Sequence, residues 1–268
     1  MTAFFNHFMF EFKSGARNPS LLLMNYLFPL GFFLMMALIM TQINPIFKET
    51  MIPAMAIFAA LSSAVLGLPG TLVAARDTGI FRSYKINSVP AFSIVTIPVV
   101  TTVFQVLVVT AIITITAPLF EGTLPAHWIR FPLVTVVMAF SFSAMGALIG
   151  VVSTDSRYTV LYSQLVFLPS TLLGGLMMPM DILPASMRRI SALLPATHAM
   201  QAFEGLGFGR QTVLDPWASL LILSASGLLA FALAIYLFSW DSRNTSRRGH
   251  PALAVLALAP CLAGAFLL

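Results

Sequence analysis

Long uncharged apolar windows alternate along this chain with short polar connections. Six windows, Leu21 to Met40, Met51 to Val73, Val89 to Pro118, Pro132 to Ser153, Tyr158 to Met180 and Trp217 to Trp240, contain no Asp, Glu, Lys or Arg. A hydrocarbon core of about 30 Å is crossed by about 20 helical residues rising about 1.5 Å each, so every window predicts a membrane helix. A seventh window, Pro251 to Leu268, is uncharged, close to the required length and interrupted by Pro260, which makes it a candidate further crossing. Ahead of the first window, residues 1–20 place Phe5, Phe8, Met9 and Phe12 on one helical stripe, with Asn6, His7, Glu11 and Lys13 elsewhere. That pattern predicts a helix lying in the membrane interface. A secretory leader would need a basic start and a small-residue cleavage site, and neither is present, so the segment is expected to be retained.

Composition agrees with the windows. Of 268 residues 59% are hydrophobic and 9% charged, and the mean hydropathy is +0.94. The expected fold is therefore an all-α integral membrane protein in four parts. An interfacial helix occupies 1–20 and a six-span domain 21–240. A basic cytoplasmic linker follows at 241–250, then the possible extra span at 251–268. With six spans and a cytoplasmic N-terminus, Lys13, Arg17, Arg76, Arg82, Lys85, Arg157, Arg243, Arg247 and Arg248 fall inside, and Lys48, Arg130, Arg188, Arg189 and Arg210 outside. This is the direction of the positive-inside rule. A basic face beside anionic lipid accounts for the pI near 9.8 without a nucleic-acid partner.

Candidate chemistry is sparse. The one cysteine, Cys261, leaves no disulfide framework within a monomer and no cysteine-based metal site. His7, His127, His198 and His250 lie in separate connections without ligand spacing, and no nucleophile elbow or triad is recognisable. The windows hold no midplane charge of the kind ion-coupled carriers use. Their central polar groups are neutral: Gln105 and Gln164 either bond between helices or line a path. No G-x-x-x-x-G-K-[ST] run occurs, so ATP cannot bind this chain through a P-loop. Gly205-x-Gly207-x-Gly209 lacks the spacing of a dinucleotide fingerprint.

Two connections carry patterns of their own. Between the second and third windows, residues 74–90 set Ile80, Phe81, Tyr84 and Val89 against Arg76, Asp77, Arg82 and Lys85, and Pro90 ends any helix there. This predicts a short amphipathic surface helix, either a docking element or a connector anchored by snorkelling cations. Between the fifth and sixth windows, Pro184 to Leu194 puts Met187, Ile190 and Leu194 on one face and Arg188, Arg189 and Ser191 on another. Thr197 to Phe208 follows with Met200, Phe203 and Leu206, and carries Glu204. Both halves read as interfacial or re-entrant helices. Gly146 and Gly150 permit close helix contact, and Pro169 is expected to bend its helix.

These connections resemble those of the ABC type-2 exporter permeases. Arg76-Asp77-x-Gly79, with Arg82 and Pro90 beyond, is similar to the family's charged loop and coupling helix. The stretch Gly174-Gly175-Leu176-Met177-Met178-Pro179-Met180-Asp181-Ile182-Leu183-Pro184, then Pro195-Ala196-Thr197-His198, is similar to its small-residue, apolar-Pro and Pro-x-Thr signature. The resemblance covers residues 1–240 and offers no role for 251–268. It implies a membrane subunit of an exporter for apolar or amphiphilic cargo such as a drug-like molecule, a lipid or a lipid-linked glycan. ATP and Mg would be held by a separate ATPase, and a second permease copy, identical or related, would complete the path. The setting implied is the bacterial plasma membrane.

On that resemblance Arg76, Asp77, Gly79, Phe81, Arg82 and Lys85 form the ATPase-coupling loop. The exit region holds Gly174, Gly175, Pro179, Asp181, Pro184, Pro195, Thr197, His198 and Glu204. The competing classes are an ATP-independent carrier and a membrane-embedded lipid-modifying enzyme, for which His198 with Glu204 is the one pair to nominate.

Overall fold

The computed structural model describes residues 19–87, 89–240 and 249–266. The interfacial helix expected over 1–20 and most of the linker expected at 241–250 lie outside the described residues. Among the described residues the chain is helical and has no strand. Five helices are long and apolar enough to cross a membrane: α1 (Leu23–Ile43), α2 (Phe47–Asp77), α4 (Ala91–Thr116), α5 (Arg130–Val152) and α9 (Pro216–Leu237). Short helix α3 (Ile80–Ile86) joins α2 to α4. Helix α6 (Ser156–Leu173) is more polar, with Arg157, Ser163, Gln164 and Thr171 along it. Helices α7 (Ala185–Ser191) and α8 (Pro195–Ala202) form a hairpin before α9. Beyond α9 a 3-10 stretch, Pro251–Leu258, leads into α10 (Ala259–Phe266).

Helix ends are set by local chemistry. Asp155 caps α6 by accepting from the backbone N–H groups of Arg157 (2.8 Å) and Tyr158 (3.2 Å), and Asp215 caps α9 by accepting from Ala218 N–H (2.7 Å), with Pro216 in the first turn. Hydroxyls inside the apolar helices close onto the preceding turn: Thr101 donates to Ile97 O, Thr114 to Thr110 O and Thr135 to Phe131 O. These bonds satisfy groups that lipid cannot.

Helix α5 is the axis. It packs on α2, α4 and α9, and most of its side chains from Val134 to Gly150 are buried. Small residues make this possible. Ser141 of α5 donates to Leu223 O of α9 (2.9 Å), and Gly227 packs so closely that a Cβ there would lie 2.7 Å from Ser141 Cα. On the other side Gly146 meets the carbonyl of Ala64. Ala64 lies in a π-helical stretch of α2, Leu61–Gly67. The Gly146-x-x-x-Gly150 pair is thus a packing seam, with Gly150 against Pro69 and Leu72.

The helices differ from the apolar windows at their ends. Helix α2 runs from Phe47 to Asp77, well beyond Met51–Val73, and carries Lys48, Glu49 and Arg76 at its extremities. The window from Tyr158 to Met180 holds a helix only as far as Leu173. Gly174 caps it, and Gly175, at φ +89°, turns the chain into a conformation that L side chains avoid.

Candidate functional site

The two ends of the bundle hold the two candidate regions. At one end α2 stops at Asp77. Thr78 closes back onto Ala74 O, and Gly79 takes φ +80°, ψ +8°, the left-handed turn that reverses the chain into α3. A Cβ at Gly79 would meet nothing within 4 Å, so backbone conformation alone selects glycine there. Helix α3 is pinned by Phe81, which is buried against Phe238 (ring centroids 5.5 Å apart), itself edge-on to Trp240. Arg82 and Lys85 sit on the exposed side of α3, and Asp77 is exposed.

Arg76 departs from the amphipathic pattern expected of 74–90. It turns inward, 8% exposed, and donates to the carbonyls of Ser153 (2.6 Å), Thr154 (3.3 Å) and Val151 (3.4 Å), with Asp77 3.8 Å away. The cause is the end of α5, where carbonyls have no partner within the helix and Ser153 is buried. A guanidinium, with its donors spread across a planar fork, reaches three separate carbonyls. Arg76 therefore ties α2 to α5 directly above the turn at Gly79.

At the opposite end the hairpin packs into the bundle through polar bonds made within itself. Thr197 donates to Ser191 O (2.6 Å) and Ser191 to Leu173 O (2.6 Å), which fixes α7, α8 and the end of α6 together. Gly174 lies against Ala196, Gly175 against Met200, and Pro195 begins α8. Pro179 and Pro184 bracket the turn holding Asp181, whose carbonyl accepts from Arg188 (2.9 Å). Met187 and Ile190 of α7 point outward, as does Arg189, while Ser191 is fully buried. Gln201 accepts from Val213 and Leu214 N–H, which folds the 209–215 loop over α8.

His198 is fully buried. Its Nε2 lies 2.9 Å from Ala192 O, a pure acceptor, so Nε2 carries the proton and Nδ1 faces Ser219 Oγ at 3.5 Å. Burial lowers its pKa to about 4, so the ring is neutral. Glu204 lies one π-helical turn on, in Phe203–Gly207, amid Arg210, Asp181 and Glu49, and burial raises its pKa to about 7. The structure does not join His198 to Glu204: the imidazole is spent on Ala192 and Ser219, and no catalytic pair forms. Around them runs a charged rim that the sequence did not single out. Arg210 stacks over Phe208, donates to Thr123 (2.8 Å) and approaches Glu49 (3.8 Å), while Lys48 pairs with Glu121 and lowers that carboxyl's pKa.

Within the bundle Gln105 is buried and accepts from Asn25 Nδ2 (2.8 Å), a bond between α4 and the π-helical start of α1, Leu23–Leu27. Gln164 is half-buried on α6. Asn25 was not singled out in the sequence, because it opens an apolar window with no partner in register.

Membrane-length apolar helices packed round α5, with a short charged helix at one end and a hairpin at the other, define a multi-pass helical membrane protein. The model of the ABC-2 type transporter family matches residues 2–208, and the chain belongs to that family; it is an ABC transporter permease. YvfS of Bacillus subtilis (strain 168), named as a transport permease, is 24% identical over 233 residues, 85% of this chain and 93% of that protein. Nodulation protein J of Rhizobium leguminosarum bv. viciae is 29% identical over 77 residues, 28% of this chain and 30% of its own. No solved structure matches the chain.

Proposed function

We propose that this chain is the six-span transmembrane subunit of an ABC exporter, with α6 as the fifth span and the N-terminus cytoplasmic in a bacterial plasma membrane. A separate ATPase carrying ATP and Mg docks on α3, and two permease copies, identical or related, enclose the path. The observation that carries this reading is the mounting of α3. It sits on the end of the most enclosed helix, held by Phe81 below and by Arg76 behind, and offers Arg82 and Lys85 outward. A force applied to α3 meets a rigid lever, α2 with α5, not a flexible loop.

At the other end the hairpin would close the exit, and the cargo class is apolar or amphiphilic, since the buried polar groups along the helices, Arg76 at the end of α2 apart, are neutral. Neither competing class gains support: Gln105 is satisfied by Asn25, and His198 is not placed for catalysis. The test is purification from native membranes in mild detergent with and without Lys85→Glu and Arg82→Glu. A P-loop ATPase is expected to accompany the parent and be lost from the variants at unchanged folding. An intact permease that brings down no ATPase refutes the reading.

A further inference from the structure

The stretch beyond α9 lies outside the residues the family model matches, and the exporter reading gives it no work. It packs in the bundle nonetheless, antiparallel to α9. Gly249 lies beside Tyr236 and Leu237, where a Cβ would fall 3.1 and 2.9 Å from their side chains. Ala257 is buried, and Cys261 Sγ lies 3.4 Å from Ser226 Oγ. Gly264 reaches the hairpin, where a Cβ would lie 2.6 Å from His198 Nε2 and 3.0 Å from Ala192 O.

The lengths agree. The eighteen steps along α9 from Ser219, which lies beside His198, to Leu237 rise about 27 Å at about 1.5 Å each. Residues 251–266 would reach about 24 Å as an α-helix. With 251–258 in 3-10 form, rising about 2.0 Å per residue, they reach about 28 Å, close to a hydrocarbon thickness of about 30 Å. A 3-10 run of this length is uncommon, and here it supplies the missing rise. The connection back to α9 carries Arg243, Arg247 and Arg248, and 251–268 has no charge to hinder crossing.

We propose that residues 251–266 form a seventh membrane crossing whose far end clamps the α7–α8 hairpin onto α9, with Gly264 seated on His198 and Ala192. The crossing lies against both α9 and the hairpin. The hairpin cannot part from α9 until this contact opens. Glycine is required at 264 because any side chain there would displace the imidazole that bridges Ala192 and Ser219.

The experiment uses the full chain in native membranes and needs neither cargo nor ATPase, so its failure is distinct from failure of the exporter reading. Ser226→Cys is close in size and places a thiol beside the native Cys261. After mild oxidation and tryptic cleavage at Arg243, Arg247 or Arg248, the fragments on either side are expected to stay linked until reductant is added. No linkage, together with labelling of Cys261 in the parent by an impermeant maleimide from the α3 side, overturns the crossing. In a Cys261→Ser background, Ala192→Cys is expected to react slowly with maleimide applied from the hairpin side, and Gly264→Leu to speed that reaction by about tenfold or more, as local opening requires. Linkage without that acceleration overturns the clamp.

Discussion

Replacing Arg76 by Ala separates the support of α3 from its surface. The guanidinium donates to three carbonyls at the end of α5, of which the 2.6 Å bond to Ser153 O is full strength and those to Thr154 and Val151, at 3.3–3.4 Å, are long. One strong charge-assisted bond contributes about 1.5–3 kcal/mol, and leaving a buried carbonyl without a donor costs about 1–3 kcal/mol more. Arg76→Ala is therefore expected to destabilise by about 3–5 kcal/mol. Taking about 2–4 °C per kcal/mol, a fall in Tm of roughly 6 °C or more follows for the purified protein in detergent. Arg76→Lys should recover only part of it, because an ammonium cannot fork across three carbonyls. Lys85→Glu, on the exposed side of α3, should leave Tm unchanged while removing the ATPase. An Arg76→Ala protein that melts within about 2 °C of the parent would refute the assignment of Arg76 as the tie between α2 and α5.

Gly79→Asn should be tolerated and Gly79→Val should weaken ATPase association, since space is open at 79 and only the positive φ selects against a β-branched residue; pull-down yields compare them. Gly227→Leu should abolish accumulation of folded protein, because its side chain would enter the backbone of α5 at Ser141, whereas Gly31→Leu, where a Cβ meets nothing within 4 Å, should not; membrane yield reads both. Glu204 has its pKa raised from 4.5 to about 7 by burial, so the folded state holds the proton more tightly than the unfolded chain. Its contribution is present in full below pH 4.5 and is lost as pH rises through about 7, so Glu204→Gln should flatten that decline, with the gap in Tm over the parent widest above pH 7.

Much of the bundle was legible because lipid imposes one rule along the chain: an uncharged run of about 20 residues has to be a helix. The ends of those helices were less legible. Charge marks where a window stops being apolar, not where a backbone stops being helical, so Lys48 and Arg76 fall in connections by sequence although α2 continues through them. The window at Tyr158–Met180 failed in the opposite sense: Gly174 and Gly175 end the helix while the sequence stays apolar to Met180. The π-helical turns at Leu23–Leu27 and Leu61–Gly67 left no trace at all, since they change the hydrogen-bond register without changing residue type.

The two candidate regions divide along the same line. At the α3 end, Gly79 and the exposed Arg82 and Lys85 could be picked out because their roles are local, a turn and a surface. Arg76 belongs to the same sequence motif, but its inward turn could not be read there, since its acceptors lie some 75 residues along the chain at Val151, Ser153 and Thr154. At the hairpin, Pro195 and Thr197 announce a helix start, but the meaning of His198 depends on three distant contacts, Ala192 O, Ser219 and Gly264. A buried histidine beside an acid in sequence invites a catalytic reading. Its surroundings make it a neutral strut instead, fixed by a carbonyl on one nitrogen, and the glycine that seats against it comes from a segment the signature itself never reaches.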